Sequence, residues 1–217
     1  MSKPLATASQ ILPPAIELEE MYTTLAVPVA SGGTHDRVAV GKIDLGGSRA
    51  ADLRFEEATF AGTILRGVIW QGATFLDVRW RACDASNADL RQSSWQRMAW
   101  ESCNLTGVNL TSAQLRHARF ERSKLVLAQF AQAKFTDAMF SGCQLEQADF
   151  SQADLRGVVF VGCNLTGARL HGANLQDADL RGSNLTALCA TAMDLRGAIV
   201  DASQLLQLAP LLGVVVE

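Results

Sequence analysis

The sequence predicts an all-β solenoid of square coils, and three regularities predict it. Large apolar residues recur at every fifth position: between Leu45 and Leu205 each multiple of five is Leu, Phe or Trp, except at Ala50, Ala85, Ala190 and Val200. All nine Phe and all four Trp share that phase, where chance would place each roughly one time in five. Two positions before the large residue the side chain is small, as at Ala73, Cys83, Ala88, Cys103, Ala113 and Cys163, and two positions after it Gly accumulates, as at Gly62, Gly67, Gly107, Gly167 and Gly182.

A period of five matches neither the helical 3.6 nor the strand period of 2. Each pentad instead reads as a short extended piece, alternating in and out, followed by a bend that Gly or a small polar residue eases. Four corners close a square, so one turn uses 20 residues and each inward side chain stacks on its equivalent 20 positions away. The cysteines check this independently, because Cys83, Cys103, Cys143 and Cys163 fall in one column with Ser123, Ser183 and Ser203 at other levels. They read as buried small side chains with weakly hydrogen-bonding thiols. The stacking distance would admit a disulfide between neighbours, but parallel side-chain directions oppose it.

Residues 1–37 lie outside the repeat and read as an N-terminal extension or cap, with "IELEEMYTTLAV" helical or extended over the first coil. Residues 38–200 form the solenoid, about eight coils. In "TALCA" the sizes are exchanged, Leu188 at the small position and Ala190 at the large one, which conserves interior volume, and Ala50 with Leu53 reads as a similar exchange or a shifted phase. Residues 201–217 read as a short helix and a terminal strand: Asp201 or Ser203 is the N-cap, Pro210 ends or kinks the helix, Gly213 stops it and "VVVE" follows. An open solenoid needs such caps, since its ends expose apolar core and unpaired edges.

The pentads "ANLQD", "ADLRG", "CNLTG" and "ADFSQ" resemble the A(D/N)LXX consensus of the pentapeptide-repeat family, over residues 40–205. The resemblance implies a right-handed quadrilateral β-helix, at about 4.8 Å per coil a rod of roughly 40 Å. It also implies end-to-end homodimerisation through the C-terminal helix, with Leu206, Leu208, Leu211, Leu212, Val214 and Val216 as candidate contacts. Members of the Qnr and MfpA type bind type II topoisomerases, resemble duplex DNA in size and charge, and protect against fluoroquinolones. The resemblance therefore implies DNA gyrase or topoisomerase IV as a partner; a structural or regulatory scaffold unrelated to topoisomerases is the alternative.

Composition narrows the function classes. A net charge of −3 argues against direct nucleic-acid binding, and no apolar run reaches the roughly 18 residues of a membrane span. Five cysteines without a CxxC pair, and an N-terminus without a secretory apolar stretch, suggest a cytoplasmic protein. His35, His117 and His171 are far apart and assemble no nucleophile–base pair, no phosphate-binding Gly motif occurs, and neither catalysis nor a cofactor or metal is expected. The four faces carry formal charges near −1, 0, −1 and +1, so electrostatic imitation of DNA has little support, while binding by shape does not depend on it. One face stands out: Arg79, Arg81, Arg119 and Arg122 flank the outward apolar Met139, Val159 and Val161, and Val126 and Leu127 extend it around a corner. This is the candidate partner face, with solvated strand residues as the competing reading.

Overall fold

The computed structural model describes residues 11–15, 29 and 31–214, with Leu212 described in its backbone only. Every strand pair is parallel and every register step is 20 residues, as in Phe60↔Trp80, Trp80↔Trp100 and Trp100↔Phe120. The strands are β1 (Thr34–Asp36), β2 (Ala39–Val40), β3 (Arg54–Ala61), β4 (Thr74–Arg81), β5 (Ser94–Glu101), β6 (Gln114–Glu121), β7 (Lys134–Thr136), β8 (Met139–Ser141) and β9 (Val159–Val161). Strands stack over about six turns rather than the eight coils expected. Beyond them the bends interrupt the extended pieces, and the same register continues as single bridges such as Asn164↔Asn184 and Asp179↔Ile199.

The bend is more uniform than its glycines suggest. The residue two after the large one takes a positive φ whether it is Gly67 (φ 60°), Asn87 (φ 54°), Gln92 (φ 59°) or Ala82 (φ 50°). A left-handed L-residue costs roughly 1–2 kcal/mol, so something local must hold the turn. Where the residue before the large one is Asp or Asn, its side chain does so: Asp84 Oδ1 accepts the Ser86 N–H at 3.1 Å, Asp89 Oδ1 the Arg91 N–H at 3.3 Å and Asp149 Oδ1 the Ser151 N–H at 2.9 Å. The Asp/Asn phase is therefore a set of side-chain-closed turns as well as a solvated surface.

Inside, the large residues stack ring on ring. Phe60 lies 3.7 Å from Trp80, Trp80 4.5 Å from Trp100, Phe120 4.6 Å from Phe140 and Phe140 5.0 Å from Phe160, all nearly parallel. The small column is a hydrogen-bonded ladder. Cys83 N–H donates to Cys103 Sγ at 3.3 Å, Cys103 N–H to Ser123 Oγ at 3.1 Å and Cys163 N–H to Ser183 Oγ at 3.0 Å. Each of those side chains in turn donates to carbonyls, Cys103 Sγ to Glu101 O at 3.3 Å and Ser183 Oγ to Phe160 O at 3.2 Å for example, and Cys143 Sγ donates likewise to Phe120 O at 3.2 Å. The exchanged pair at the first coil is real, since Ala50 and Leu53 are both buried, and Leu188 is buried beside a partly buried Ala190.

The ladder starts before the boundary at 38 that the sequence phase suggests: β1 pairs with β3, and His35 stacks on Phe55 at 4.8 Å. His35 sits at a multiple of five, so an aromatic imidazole fills a large-residue place that the apolar pattern did not show. "IELEEMYTTLAV" lies outside the described residues.

At the other end, Asp201 is the N-cap, in a reciprocal capping box with Gln204. A short turn, Ala202–Gln204, leads into α1 (Leu205–Leu208), then a second, Ala209–Leu212, that carries Pro210 in its first positions and stops at Gly213 (φ 67°). Gln204 Nε2 donates to Leu180 O and Ser183 O, both at 2.7 Å, and Gln207 Oε1 accepts the Leu185 N–H at 2.6 Å. These side chains satisfy the backbone groups that a further coil would have met. The last residues of "VVVE", Val215–Glu217, lie outside the described residues, so the terminal strand is not placed.

Candidate interaction surface

Parallel register brings the predicted face together. Arg79, Ala99, Arg119, Met139 and Val159 form one continuous column, and Arg81, Glu101, Glu121, Ser141 and Val161 form the next outward column of the same strands. Arg122 stands at the bend beside them (φ 46°), and Leu127 is exposed around the corner.

The columns differ in accessibility. Arg81 and Arg122 are exposed and Val161 is 43% exposed, whereas Val159, also nominally outward, is 3% exposed and Ala99 is buried. The Arg flank is internally paired: Glu101 lies 3.5 Å from Arg79 Nε and 3.0 Å from Arg81 Nη2, and Glu121 4.0 Å from Arg122. One carboxylate thus serves two guanidiniums, and the face presents a mixed, self-satisfied charge pattern.

The column of Arg79 and Arg119 is not free. Residues 11–15 run over it, with Ile11 and Pro14 buried. The Ile11 carbonyl accepts from Arg119 Nη2, and the Ala15 N–H donates to Asp77 Oδ1 at 2.9 Å. Asp77 is itself 4% exposed and is gripped by Arg97 through Nε at 2.7 Å and Nη2 at 2.5 Å, which holds the Arg97 guanidinium above its ordinary value. Sequence reasoning missed this, since "ILPPA" carries no repeat and its contacts lie 62 and 108 residues away.

A shallow open hollow of about 290 Å³ lies farther along the same strands, lined by Arg54, Thr74, Ser94, Gln96, Gln114 and Arg116. Arg54 is paired with Glu56 at 3.1 Å. The hollow offers donors and no nucleophile–base pair. His117 and His171 each face a carboxylate, Asp137 and Asp194, at 3.6 Å. Of the five Asp-Leu-Arg motifs, three form ion pairs of 2.6 Å, Asp89–Arg91, Asp154–Arg156 and Asp179–Arg181, while Arg54 of the first pairs with Glu56. Asp194 instead accepts from the Thr191 and Gly172 N–H groups, at 2.7 and 2.9 Å, and closes the last coil. Among the described residues no group of three or more His, Cys, Asp or Glu is placed to hold a metal, and no helix is long and apolar enough to cross a membrane.

The candidate dimer contacts divide. Leu206 is 65% exposed and Val214 is exposed, but Leu208 is 5% exposed in the core and Leu211 packs against that core, so these two close their own solenoid. A four-residue helix has only one side to bury, and it turns that side to the open end of the rod. The Leu212 side chain and Val216 lie outside the described residues.

Comparison with known proteins agrees with this geometry. A family model for pentapeptide repeats matches residues 113–152 and 148–186, and a second, for a pentapeptide repeat region, matches residues 52–130. The chain is similar to the solved structure of trypsin-treated QnrB1, a plasmid-mediated fluoroquinolone resistance protein: 21% identity, 89% of this chain and 95% of that one covered, TM-score 0.50. It is also similar to HetL, a pentapeptide repeat protein involved in heterocyst differentiation regulation from the cyanobacterium Nostoc, with 24% identity, 70% and 89% coverage and TM-score 0.43. Among curated proteins none matches. At these identities the QnrB1 likeness speaks to the fold.

Proposed function

The chain belongs to the pentapeptide-repeat family, and on that premise we propose that it is a non-enzymatic binding protein of the cytoplasm whose partner is another protein. The observation that carries this reading is the outward column with Arg81 and Val161, and Arg122 at its bend: accessible charged and apolar groups on a rigid parallel sheet with a fixed spacing of about 4.8 Å. A preorganised face loses little entropy on association.

The specific partner we propose is DNA gyrase or topoisomerase IV, with protection from a topoisomerase poison as the effect. The fold shared with QnrB1 over most of both chains supports the size and shape this requires. Charge contributes little, because Arg79, Arg81 and Arg122 are paired with Glu101 and Glu121 and Arg119 donates to the Ile11 carbonyl, so recognition rests on shape and apolar contact. A homodimer formed end to end through Leu206 and Val214 belongs to the same reading. The test is purified gyrase assayed for supercoiling and for drug-induced cleavage with and without the protein: protection at micromolar protein supports the proposal, and no effect removes it.

The docked segment Ile11–Ala15 favours a second reading, a scaffold that binds extended peptides of a different partner.

A further inference from the structure

We infer that the outward face between Asp77 and Arg119 is a peptide-binding groove, occupied within the same chain by Ile11–Ala15 as a built-in ligand that a proline-containing segment of a partner protein displaces. The inference rests on reading this face as the partner face and is independent of which protein the partner is.

The path of the segment is the first support. Asp77 and Arg119 are separated by two steps of the 20-residue register, about 10 Å along the rod. Residues 11 to 15 in an extended or polyproline conformation span about 12–13 Å. The segment therefore runs across the strands, along the rod axis, and cannot join the sheet as another strand. What holds it is side chain to backbone: the Arg119 guanidinium donates to the Ile11 carbonyl, and the Asp77 carboxylate accepts the Ala15 N–H at 2.9 Å.

The chemistry of "ILPPA" matches these two clamps. Pro13 and Pro14 have no N–H, so the middle of the segment brings no donor that would go unsatisfied against a covered surface. The first N–H after the prolines is that of Ala15, and it meets the Asp77 carboxylate, which Arg97 has already oriented with two hydrogen bonds. Ile11 and Pro14 are buried, while Leu12 is half exposed and Pro13 and Ala15 are exposed, so the side chains that face the groove are three apart, the period of a polyproline II helix. A groove with one donor, one oriented acceptor and an apolar floor that includes Ala99 is a recognition site for an aliphatic residue followed by a Pro-Pro turnless stretch and a free N–H. A chain-borne occupant with two backbone clamps is held by proximity and can be exchanged for a partner segment of the same chemistry.

The test uses the full-length protein and a fluorescent synthetic peptide of residues 8–18, followed by anisotropy. Wild-type protein, with its groove filled, binds the peptide weakly. The variant Ile11→Asp with Pro14→Asp loosens the built-in segment and leaves the groove intact, and it binds the peptide about ten-fold more tightly or better. Adding Arg119→Gln to that variant removes the gain, and so does placing the same two Asp substitutions in the peptide, a control that requires no change in the protein. The inference is overturned if the loosened variant binds no more tightly than wild type, or if the substituted peptide binds equally well. A wild-type dimer that dissociates on Ile11→Asp with Pro14→Asp would overturn occupancy within one chain and assign the segment to a second copy. No topoisomerase enters these measurements, so their failure and the failure of the gyrase reading are separate results.

Discussion

Ser123 Oγ accepts the backbone N–H of Cys103 at 3.1 Å across one coil and itself donates to the carbonyl of Glu121 at 3.0 Å. Both bonds are inside the solenoid, where no water replaces them. Ser123→Ala leaves the Cys103 N–H unsatisfied and should cost about 1–3 kcal/mol, read as a shift in urea midpoint. Ser123→Cys should cost less, because a thiol already plays this part between Cys83 and Cys103.

Gln204 plugs the C-terminal edge by donating to both Leu180 O and Ser183 O. Gln204→Leu keeps most of the volume and orphans two carbonyls, with an expected loss of about 1–3 kcal/mol. The loss should fall on the last coils, so hydrogen exchange should rise around residues 180–200 and stay unchanged at β4 and β5. Uniform exchange throughout the rod would contradict a local capping role.

Thiol chemistry should separate the core from the cap. Cys83, Cys103, Cys143 and Cys163 are buried, and Cys189 is exposed. Each of the four is at most 3% exposed, so a reagent in water does not reach its sulfur while the solenoid is closed. A thiol reagent on the folded protein should therefore label Cys189 fast and the other four only after denaturation, as counted by mass spectrometry.

Acid should destabilise the rod in two steps. Burial lowers the His35 pKa, so its contribution is complete above the ordinary histidine value of about 6.5 and is lost as pH falls through the lowered value. His35→Phe, which keeps a ring on Phe55, should erase that step. The carboxylates follow at lower pH. Arg91 and Arg156 hold Asp89 and Asp154 below the usual range, and at Asp179 burial pushes up but Arg181 outweighs it. Their stabilisation is complete above the ordinary carboxylate value of about 3.9 and is lost as pH falls through the depressed values. Thermal unfolding recorded from pH 8 to 2 distinguishes the two steps.

The interior of this protein was almost entirely legible in its sequence, because a single repeating geometry assigns each position one environment. The five-residue phase alone places Phe60, Trp80 and Trp100 in one stack and the four buried cysteines in another. Legibility fails where local pattern is overruled. Val159 has the phase of a surface residue yet is buried, and Leu208 has the look of a dimer contact yet seals its own core. Both outcomes depend on the surroundings of one position, and that information is not periodic. The segment at Ile11–Ala15 is the clearest case, since its only sequence signal is the pair Pro13–Pro14. At the bends the pattern showed glycine, but the hydrogen bonds that Asp84 and Asp149 accept, which hold the non-glycine bends at Asn87 and Gln152, need a three-dimensional turn to be recognised.

Val161 and Arg81 supply the most direct test of the binding reading, because both are exposed and neither carries the fold; Val159→Glu would bury a charge and confound the result. Equilibrium binding of purified gyrase to the full-length protein should be measured for wild type and for Arg81→Glu with Val161→Glu, each checked for unchanged circular dichroism. The account predicts binding at micromolar concentration or below and a loss of about ten-fold or more in the variant. Absence of binding, or equal binding by a folded variant, would contradict it.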